Sequence, residues 1–248
     1  MSITKRQEEI LKLLEENRFL TVSKLAEYTY TSPSSIRRDL TSLENLHYIS
    51  RTHGGANIID EKNLPAAFNL RMTKNTAEKK IIAKKAAALL CDGQNIMLDS
   101  STTAGFLVPY IANHKNMTVF TNNMITAVNA VNRGISVHCT GGRCINGSAS
   151  LSGTAAYEFL KGVYVDILFF SSQSLDSSGI ISDSTEEENY ARRIMLKNSG
   201  KKFFLCDSSK FGLKSPYILT SAEETDVCIF DREYSELSLH GGKTIILQ

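Results

Sequence analysis

Apolar residues follow two regimes along the chain. Up to about residue 57 they recur at helical spacing in short bursts. Ile10, Leu11 and Leu14 give one apolar face to a helix ending near Asn17, with Glu8, Glu9, Glu15 and Glu16 outward and Ser2 or Thr4 as its cap. Phe19 to Val22 reads as a short extended piece, and Ser23 as the cap of a second helix that ends near Tyr30-Thr31. A third helix begins at Ser32-Pro33, a cap serine followed by proline at the first helical position, and Ile36, Leu40 and Leu43 at i, i+4 and i+7 fix its buried face. From Tyr48 to Ile59 two extended pieces flank Gly54-Gly55, the pattern of a β-hairpin wing.

The second regime begins after a polar stretch. Asp60 to Asn75 contains Pro65 and no sustained period, so it reads as a connection, with Phe68 and Arg71 as candidates to dock it. An alanine-rich helix is expected from Thr76 to Leu90, broken by Asp92-Gly93 ahead of a strand at Asn95 to Leu98. Strand-like runs recur at Met117 to Phe120, Ile135 to Cys139, Tyr164 to Phe170, Phe203 to Cys206 and Val227 to Phe230, with helix-length stretches between several of them. The expected fold is α/β overall: a small winged helix-turn-helix over residues 1–57, a linker over 58–75, and an α/β domain with a mainly parallel sheet over 76–248.

Composition narrows the partners. With 42% hydrophobic and 22% charged residues among 248, the chain has material for a real core. The net charge is only +2, so any nucleic-acid contact must be a local patch. Residues 1–57 carry eight Lys/Arg and seven Asp/Glu, but the acids concentrate on the first helix while Arg37, Arg38 and Arg51 lie on the third helix and the wing. Cys91, Cys139, Cys144, Cys206 and Cys228 form no Cys-x-x-Cys pair, and the five histidines show no ligand spacing, so neither structural zinc nor any cofactor is expected. The start resembles no secretory or transit segment, and the most apolar run, Ile81 to Cys91, is interrupted by Lys84-Lys85. A cytoplasmic protein without membrane contact is the expectation.

With its apolar residues turned inward, the third helix leaves Ser34, Ser35, Arg37, Arg38 and Thr41 on or beside its exposed face, and Ser32 at its start. Hydroxyls bond phosphate oxygens and an arginine fork matches a guanine edge, so this turn suits double-stranded DNA. Arg51 and His53 of the wing are in position for a neighbouring backbone or the minor groove. Solvent exposure is the plainer account of each residue alone.

In parallel sheets, ligands bind where loops leave the carboxyl ends of strands. Here the loops are Asp99-Ser100-Ser101-Thr102-Thr103, Thr121-Asn122-Asn123, Thr140-Gly141-Gly142-Arg143 and Asp207-Ser208-Ser209-Lys210. Singly these are ordinary caps and turns. Together they favour a polar, phosphorylated small ligand. No Gly-x-x-x-x-Gly-Lys-Ser/Thr or Gly-x-Gly-x-x-Gly occurs, which argues against nucleoside triphosphates and dinucleotides.

These residues resemble a known family. Ser32 to Leu40, with Leu43-Glu44 and Arg51-Thr52-His53-Gly54-Gly55-Ala56, is similar to the signature of DeoR-type bacterial transcriptional regulators. Asp99 to Thr103, Thr121-Asn122, Gly141-Gly142, Ser152-Gly153, Asp166 and Asp207 to Gly212 resemble landmarks of their effector domain, which shares its fold with ribose-5-phosphate isomerase-type proteins. Departures are Ser35 for threonine, His47 for glycine, Ser101 for glycine, and Ser171 and Ser174 where many members have glycine.

The resemblance implies a repressor of a carbohydrate-utilisation operon whose operator affinity changes when a phosphorylated sugar binds. Ser100 to Thr103 would hold phosphate, Asp99, Asn122, Gly141, Gly142 and Arg143 would lie along the site, and Lys210 would contact an anionic or hydroxyl group. A homo-oligomer, dimer or tetramer, is expected because two half-sites multiply the specificity of one small reader. The competing reading is a sugar-phosphate isomerase using Asp99, Asp207 or the Asp183/Glu186-Glu187-Glu188 group as base, with Lys210 as electrostatic partner. The acidic triplet, however, opens a helix, where negative charge is favourable for structural reasons alone. A third reading, a C-terminal domain that only assembles subunits, would have lost the polar loop residues.

Overall fold

The N-terminal elements follow from their caps. In the computed structural model, which describes residues 4–45, 48–52, 54–58, 67–145, 148–239 and 245–247, helix α1 (Lys5–Asn17) starts at Thr4. The Thr4 side chain accepts from the Gln7 N–H at 3.3 Å while Gln7 Oε1 accepts from the Thr4 N–H at 3.0 Å, a reciprocal cap worth about 1 kcal/mol. Strand β1 (Phe19–Thr21) leads into α2 (Val22–Tyr28), capped by Thr21 and not by the expected Ser23. Thr21 is the last residue with an extended backbone, and its hydroxyl accepts from the Lys24 N–H at 3.3 Å. Helix α3 (Pro33–Asn45) and the hairpin β2 (Ile49–Thr52) and β3 (Gly55–Ile58) complete the unit.

The strand order is β1-β3-β2, antiparallel throughout. A Cβ on Gly55 would sit 2.5 Å from the Leu20 carbonyl oxygen, so β1 and β3 pair this closely only around a glycine. Ile10, Leu14, Leu25, Ile36, Leu40 and Leu43 are fully buried in one apolar cluster. This is a three-helix winged fold. His47 and His53 lie outside the described residues. The stretch read as a connection contains a helix, α4 (Ala67–Thr73), whose seven residues are too few to show a period in sequence.

Chain contacts divide the molecule into two units, residues 1–73 with 146–148 and residues 74–145 with 149–248. In the second, α5 (Thr76–Ala87) precedes β4 (Asn95–Leu98), α6 (Thr102–Gly105), α7 (Val108–Ile111), β5 (Thr118–Thr121), α8 (Met124–Val131) and β6 (Ser136–Cys139). A hairpin follows, β7 (Arg143–Cys144) and β8 (Leu151–Ser152), then α9 (Thr154–Lys161), β9 (Val165–Phe170), β10 (Ser174–Leu175) and β11 (Ile180–Asp183). The chain continues through α10 (Glu186–Lys197), β12 (Ser199–Cys206), β13 (Tyr217–Ser221), β14 (Val227–Phe230) and β15 (Ile245–Leu247).

Among the described residues, seven strands form one sheet in the order β15-β14-β12-β9-β4-β5-β6, and every pairing in it is parallel. Period-two alternation splits the core. Ile96, Leu98, Ile167, Phe169, Phe203 and Leu205 face one cluster with α5, while Met97, Leu168, Phe170, Phe204 and Cys206 face another with residues of α9 and α10. Burial of each large side chain stabilises by about 1.5–3 kcal/mol. The expected strands are present within a residue or so, except that β12 begins four residues earlier, at Ser199. A small antiparallel sheet, β10-β11-β13, and the β7–β8 hairpin were not expected. Their strands of two to five residues carry too little alternation to stand out.

Strand order places a crevice. From β4 the chain steps outward through β5 to β6, then returns to the other side of β4 with β9 and proceeds outward through β12 and β14. The reversal falls between β4 and β9, and a parallel sheet opens to ligands at the carboxyl ends of the strands flanking such a reversal.

Candidate nucleic-acid interface and effector site

On α3 the sequence builds a polar, cationic surface over an apolar floor. Ile36 and Leu40 are fully buried, and Ser32, Ser34, Arg37, Arg38 and Thr41 are exposed. The serines form a chain of hydroxyls: Ser32 Oγ lies 3.0 Å from Ser34 Oγ and donates to Ser35 Oγ at 3.1 Å. Arg38 Nη2 donates to Ser35 Oγ at 3.4 Å. The wing joins this face through Arg51, whose Nη1 donates to Thr41 Oγ1 at 3.1 Å and whose N–H donates to Glu44 at 3.3 Å. Glu44, Arg51, Thr52 and Gly54 line a notch of about 370 Å³. Asp39, which follows Arg37 and Arg38 on α3, is buried and held by Arg6 Nε at 2.6 Å, so it does not offset the outward cations. The side chains of α3 and the wing thus meet in one surface, which the spacing of Arg37, Arg38 and Arg51 already suggested.

The effector candidates lie in loops at one edge of the parallel sheet. Asp99, immediately after β4, is fully buried and wholly engaged inside the protein. Its Oδ1 accepts from the Ser101 N–H at 3.1 Å and from the Ser101 hydroxyl, and its Oδ2 accepts from Arg192 Nε at 2.8 Å. Ser101 Oγ in turn accepts from the Ala104 N–H at 3.2 Å. Asp99 therefore shapes the hydroxyl loop and has no surface left for a ligand. Ser100, Thr102 and Thr103 are buried, and Ser101 is partly exposed.

Arg192 was not anticipated. It is buried on α10 and joins Asp99, Asp183 at 2.8 Å and Glu188 at 3.7 Å. Burial works against its charge, yet the surrounding carboxylates outweigh that and hold its pKa above the ordinary arginine value. The acidic triplet that opens α10 accordingly divides. Glu186 pairs with Arg193 at the surface at 2.6 Å, the role expected for a solvated helix start. Glu188 turns inward to Arg192, and Glu187 receives Arg143 at 2.7 Å and the Ser152 hydroxyl at 2.5 Å. Arg143 thus sits on β7, exposed and paired, rather than as an unengaged cation. Only the i, i+4 spacing of Glu188 and Arg192 was visible beforehand, and it is common on solvated helices.

Asn122 follows β5. Its Nδ2 donates to Ser150 Oγ and to the Leu151 carbonyl, both at 3.3 Å, and since a carbonyl can only accept, this fixes which end of the amide is nitrogen. After β6, Gly141 and Gly142 stand at φ +66 and +103, and a Cβ on Gly142 would meet the Ser152 carbonyl oxygen at 2.6 Å. After β12, Lys210 Nζ donates to Ser171 Oγ at 2.9 Å and lies 3.4 Å from Asp207 Oδ2. Ser171 Oγ is also bonded to the Leu205 carbonyl, and Ser174 Oγ pairs with Ser215 at 2.6 Å, so both serines are spent on internal bonds. Asn75, also missed in the sequence, donates to Asp207 Oδ1 at 3.0 Å. Burial pushes the Asp207 carboxyl up, but Lys210, Ser209, Lys79 and Asn75 pull it down further, leaving it below the usual carboxylate value.

Three buried polar atoms in these loops have no hydrogen-bond partner: Thr103 Oγ1, Asn122 Oδ1 and Asp207 Oδ2. Each such group costs about 1–3 kcal/mol in an unliganded protein. Among the described residues, no cluster suited to a metal ion occurs, and no helix is long and apolar enough to cross a membrane.

A winged helix-turn-helix with a cationic recognition surface, followed by a parallel-sheet domain with polar loops at its carboxyl edge, defines a DNA-binding transcriptional regulator. Residues 6–62 match the DeoR-like helix-turn-helix domain and residues 74–232 the DeoR C terminal sensor domain, and the chain belongs to the DeoR family. It is 33% identical to the HTH-type transcriptional regulator GolR of Listeria innocua, over 93% of this chain and 91% of that protein. It is 30% identical to the transcriptional repressor AccR of Agrobacterium fabrum, over 91% and 88%, and 27% identical to the glycerol-3-phosphate regulon repressor of Escherichia coli, over 93% and 92%. Solved structures with partial likeness include ribose 5-phosphate isomerase A of Methanocaldococcus jannaschii, with 18% identity over 56% of this chain and 55% of that one and a TM-score of 0.42.

Proposed function

We propose that this regulator represses a carbohydrate-utilisation operon and that a phosphorylated sugar, bound at the carboxyl edge of the parallel sheet, sets its affinity for the operator. The observation that carries this reading is the pair of buried atoms without a hydrogen-bond partner at that edge, Thr103 Oγ1 and Asn122 Oδ1, beside Asp207 Oδ2, which has no hydrogen bond and is met by Lys210 as an ion pair at 3.4 Å. Buried polar atoms in folded proteins are nearly always satisfied, and a polyhydroxylated ligand supplies the missing partners. Ser100 to Thr103 hold the phosphate, Asn122 and the Gly141-Gly142 loop line the sugar, and Lys210 contacts a hydroxyl or anionic group. Asp99 acts through Ser101. A family relative named for the glycerol-3-phosphate regulon agrees in kind.

The isomerase alternative is disfavoured because two of its candidate bases, Asp99 and Asp183, are locked on Arg192. The regulator works as a homo-oligomer in which ligand and DNA each bias one two-state equilibrium, so operator must change effector affinity by the same factor that effector changes operator affinity.

Thermal unfolding against a panel of sugar phosphates and their dephosphorylated parents tests this. A phosphorylated compound should raise the Tm where its parent does not, and Arg38→Ala should keep that shift while weakening DNA binding about tenfold. Equal shifts from the parent sugar would remove the phosphate from the proposal.

A further inference from the structure

The turn between α2 and α3 contains a residue that backbone energetics alone would not choose. Helix α2 ends in paired closing bonds, Thr31 N–H to the Ala26 carbonyl at 2.9 Å and Tyr30 N–H to the Glu27 carbonyl at 3.2 Å. This is the Schellman arrangement, whose penultimate residue must be left-handed and is usually glycine. Here it is Tyr30, at φ +50. An aromatic side chain is disfavoured in that conformation by its Cβ. Packing does not compensate, because Tyr30 is 97% exposed, more than any other large apolar or aromatic side chain among the described residues.

Strain retained at an exposed residue points to a role outside the folded chain. Tyr30 stands two residues before Ser32, at the start of the hydroxyl chain Ser32–Ser34–Ser35 and on the approach to Arg37 and Arg38. In helix-turn-helix readers the start of the second helix enters the major groove, and the turn before it runs beside the sugar-phosphate backbone. Tyrosine hydroxyls are among the groups that bond phosphate oxygens. We propose that Tyr30 is a DNA-backbone contact, held out by the left-handed turn so that its phenol hydroxyl reaches a phosphate at the edge of the groove that α3 enters. Such a contact fixes the docking of α3 and carries no base preference.

The test uses the full chain, a fluorescein-labelled 30-base-pair duplex of random sequence, and the variants Tyr30→Gly and Tyr30→Phe. Glycine relieves the turn, so the unfolding transition of the N-terminal unit should move up by about 4 °C. Affinity for the duplex should fall by about three- to tenfold at the same time. Tyr30→Phe should keep the wild-type Tm and lose affinity by the same factor. The slope of log affinity against log salt should match wild type in both, since no cation has been removed. Stability and binding then move in opposite directions, which a purely structural residue cannot produce. Undiminished affinity in Tyr30→Gly, or a parallel fall of Tm and affinity, would overturn the proposal. Full affinity in Tyr30→Phe would overturn the assignment to the hydroxyl.

Discussion

The two candidate sites are built in opposite ways from similar residues. On α3 the serines and arginines stand in solvent over a separate apolar cluster, and Asp39, the acid next to Arg38, is neutralised from α1 by Arg6 at 2.6 Å. At the carboxyl edge of the parallel sheet the hydroxyls, amide and carboxylates are buried, and several are tied to one another through Arg192, Ser171 and Lys210. A DNA surface stays solvated until it meets phosphate, so its side chains contribute little to folding. A small-molecule site is part of the folded interior, so the same residue types there are either structural supports or unsatisfied groups. Substitutions should therefore separate the two regions by their effect on stability.

The largest effect is expected at Arg192. Removing a buried arginine leaves Asp99, Asp183 and Glu188 without their shared cation, and uncompensated buried charge costs about 3–5 kcal/mol. Arg192→Ala should lower the unfolding free energy of the C-terminal unit, read by urea titration, by that much, whereas Arg37→Ala or Arg38→Ala should leave stability within about 0.5 kcal/mol. A mild Arg192 variant would mean that the carboxylates are satisfied by other means, and the contrast between the regions would weaken.

This asymmetry also explains what the sequence made legible. The apolar repeats of α3 and of the strands are local, so Ile36, Leu40 and Leu43 and the run Asn95 to Leu98 stood out at once. The loops were visible because each directly follows an apolar run. Arg192 was hidden because its partners are 93 and nine residues away as well as four, and no local pattern encodes the first of these. Asp99 was seen but assigned to ligand for the same reason: its residue type announces a polar role, and only the fold shows that both oxygens are already taken. The cap at Thr21 was displaced to Ser23 because both are good capping residues two positions apart, and the extended backbone at Thr21 decided between them.

A smaller effect, of opposite sign, should sharpen the comparison. Thr103 Oγ1 is buried without a hydrogen-bond partner, so replacing it with the isosteric valine removes an unmet group and keeps the volume. Thr103→Val should stabilise the unliganded protein by about 1 kcal/mol and reduce the Tm shift given by the effector. Loss of stability in urea titration would show that the hydroxyl is bonded in solution and is no mark of a ligand site.

The smallest effect concerns acid. Asp207 is pulled below the usual carboxylate value, but only as the remainder of opposing influences: burial raises its pKa, while Lys210, Ser209, Lys79 and Asn75 lower it. For a group depressed in the folded state, stability is present in full above the unfolded pKa, about 3.9, and is lost as pH falls through the lower folded value. Asp207→Asn removes that titration. The variant should therefore lose less stability than wild type between about pH 4 and pH 2, read as Tm against pH, while behaving alike in slope above pH 5. Asp207 lies beside Lys210, so the same variant should also weaken effector binding at neutral pH, where the carboxylate is ionised in wild type. An acid limb identical to wild type would mean that Asp207 has no net electrostatic role in folding, and that its place beside Lys210 serves the ligand alone.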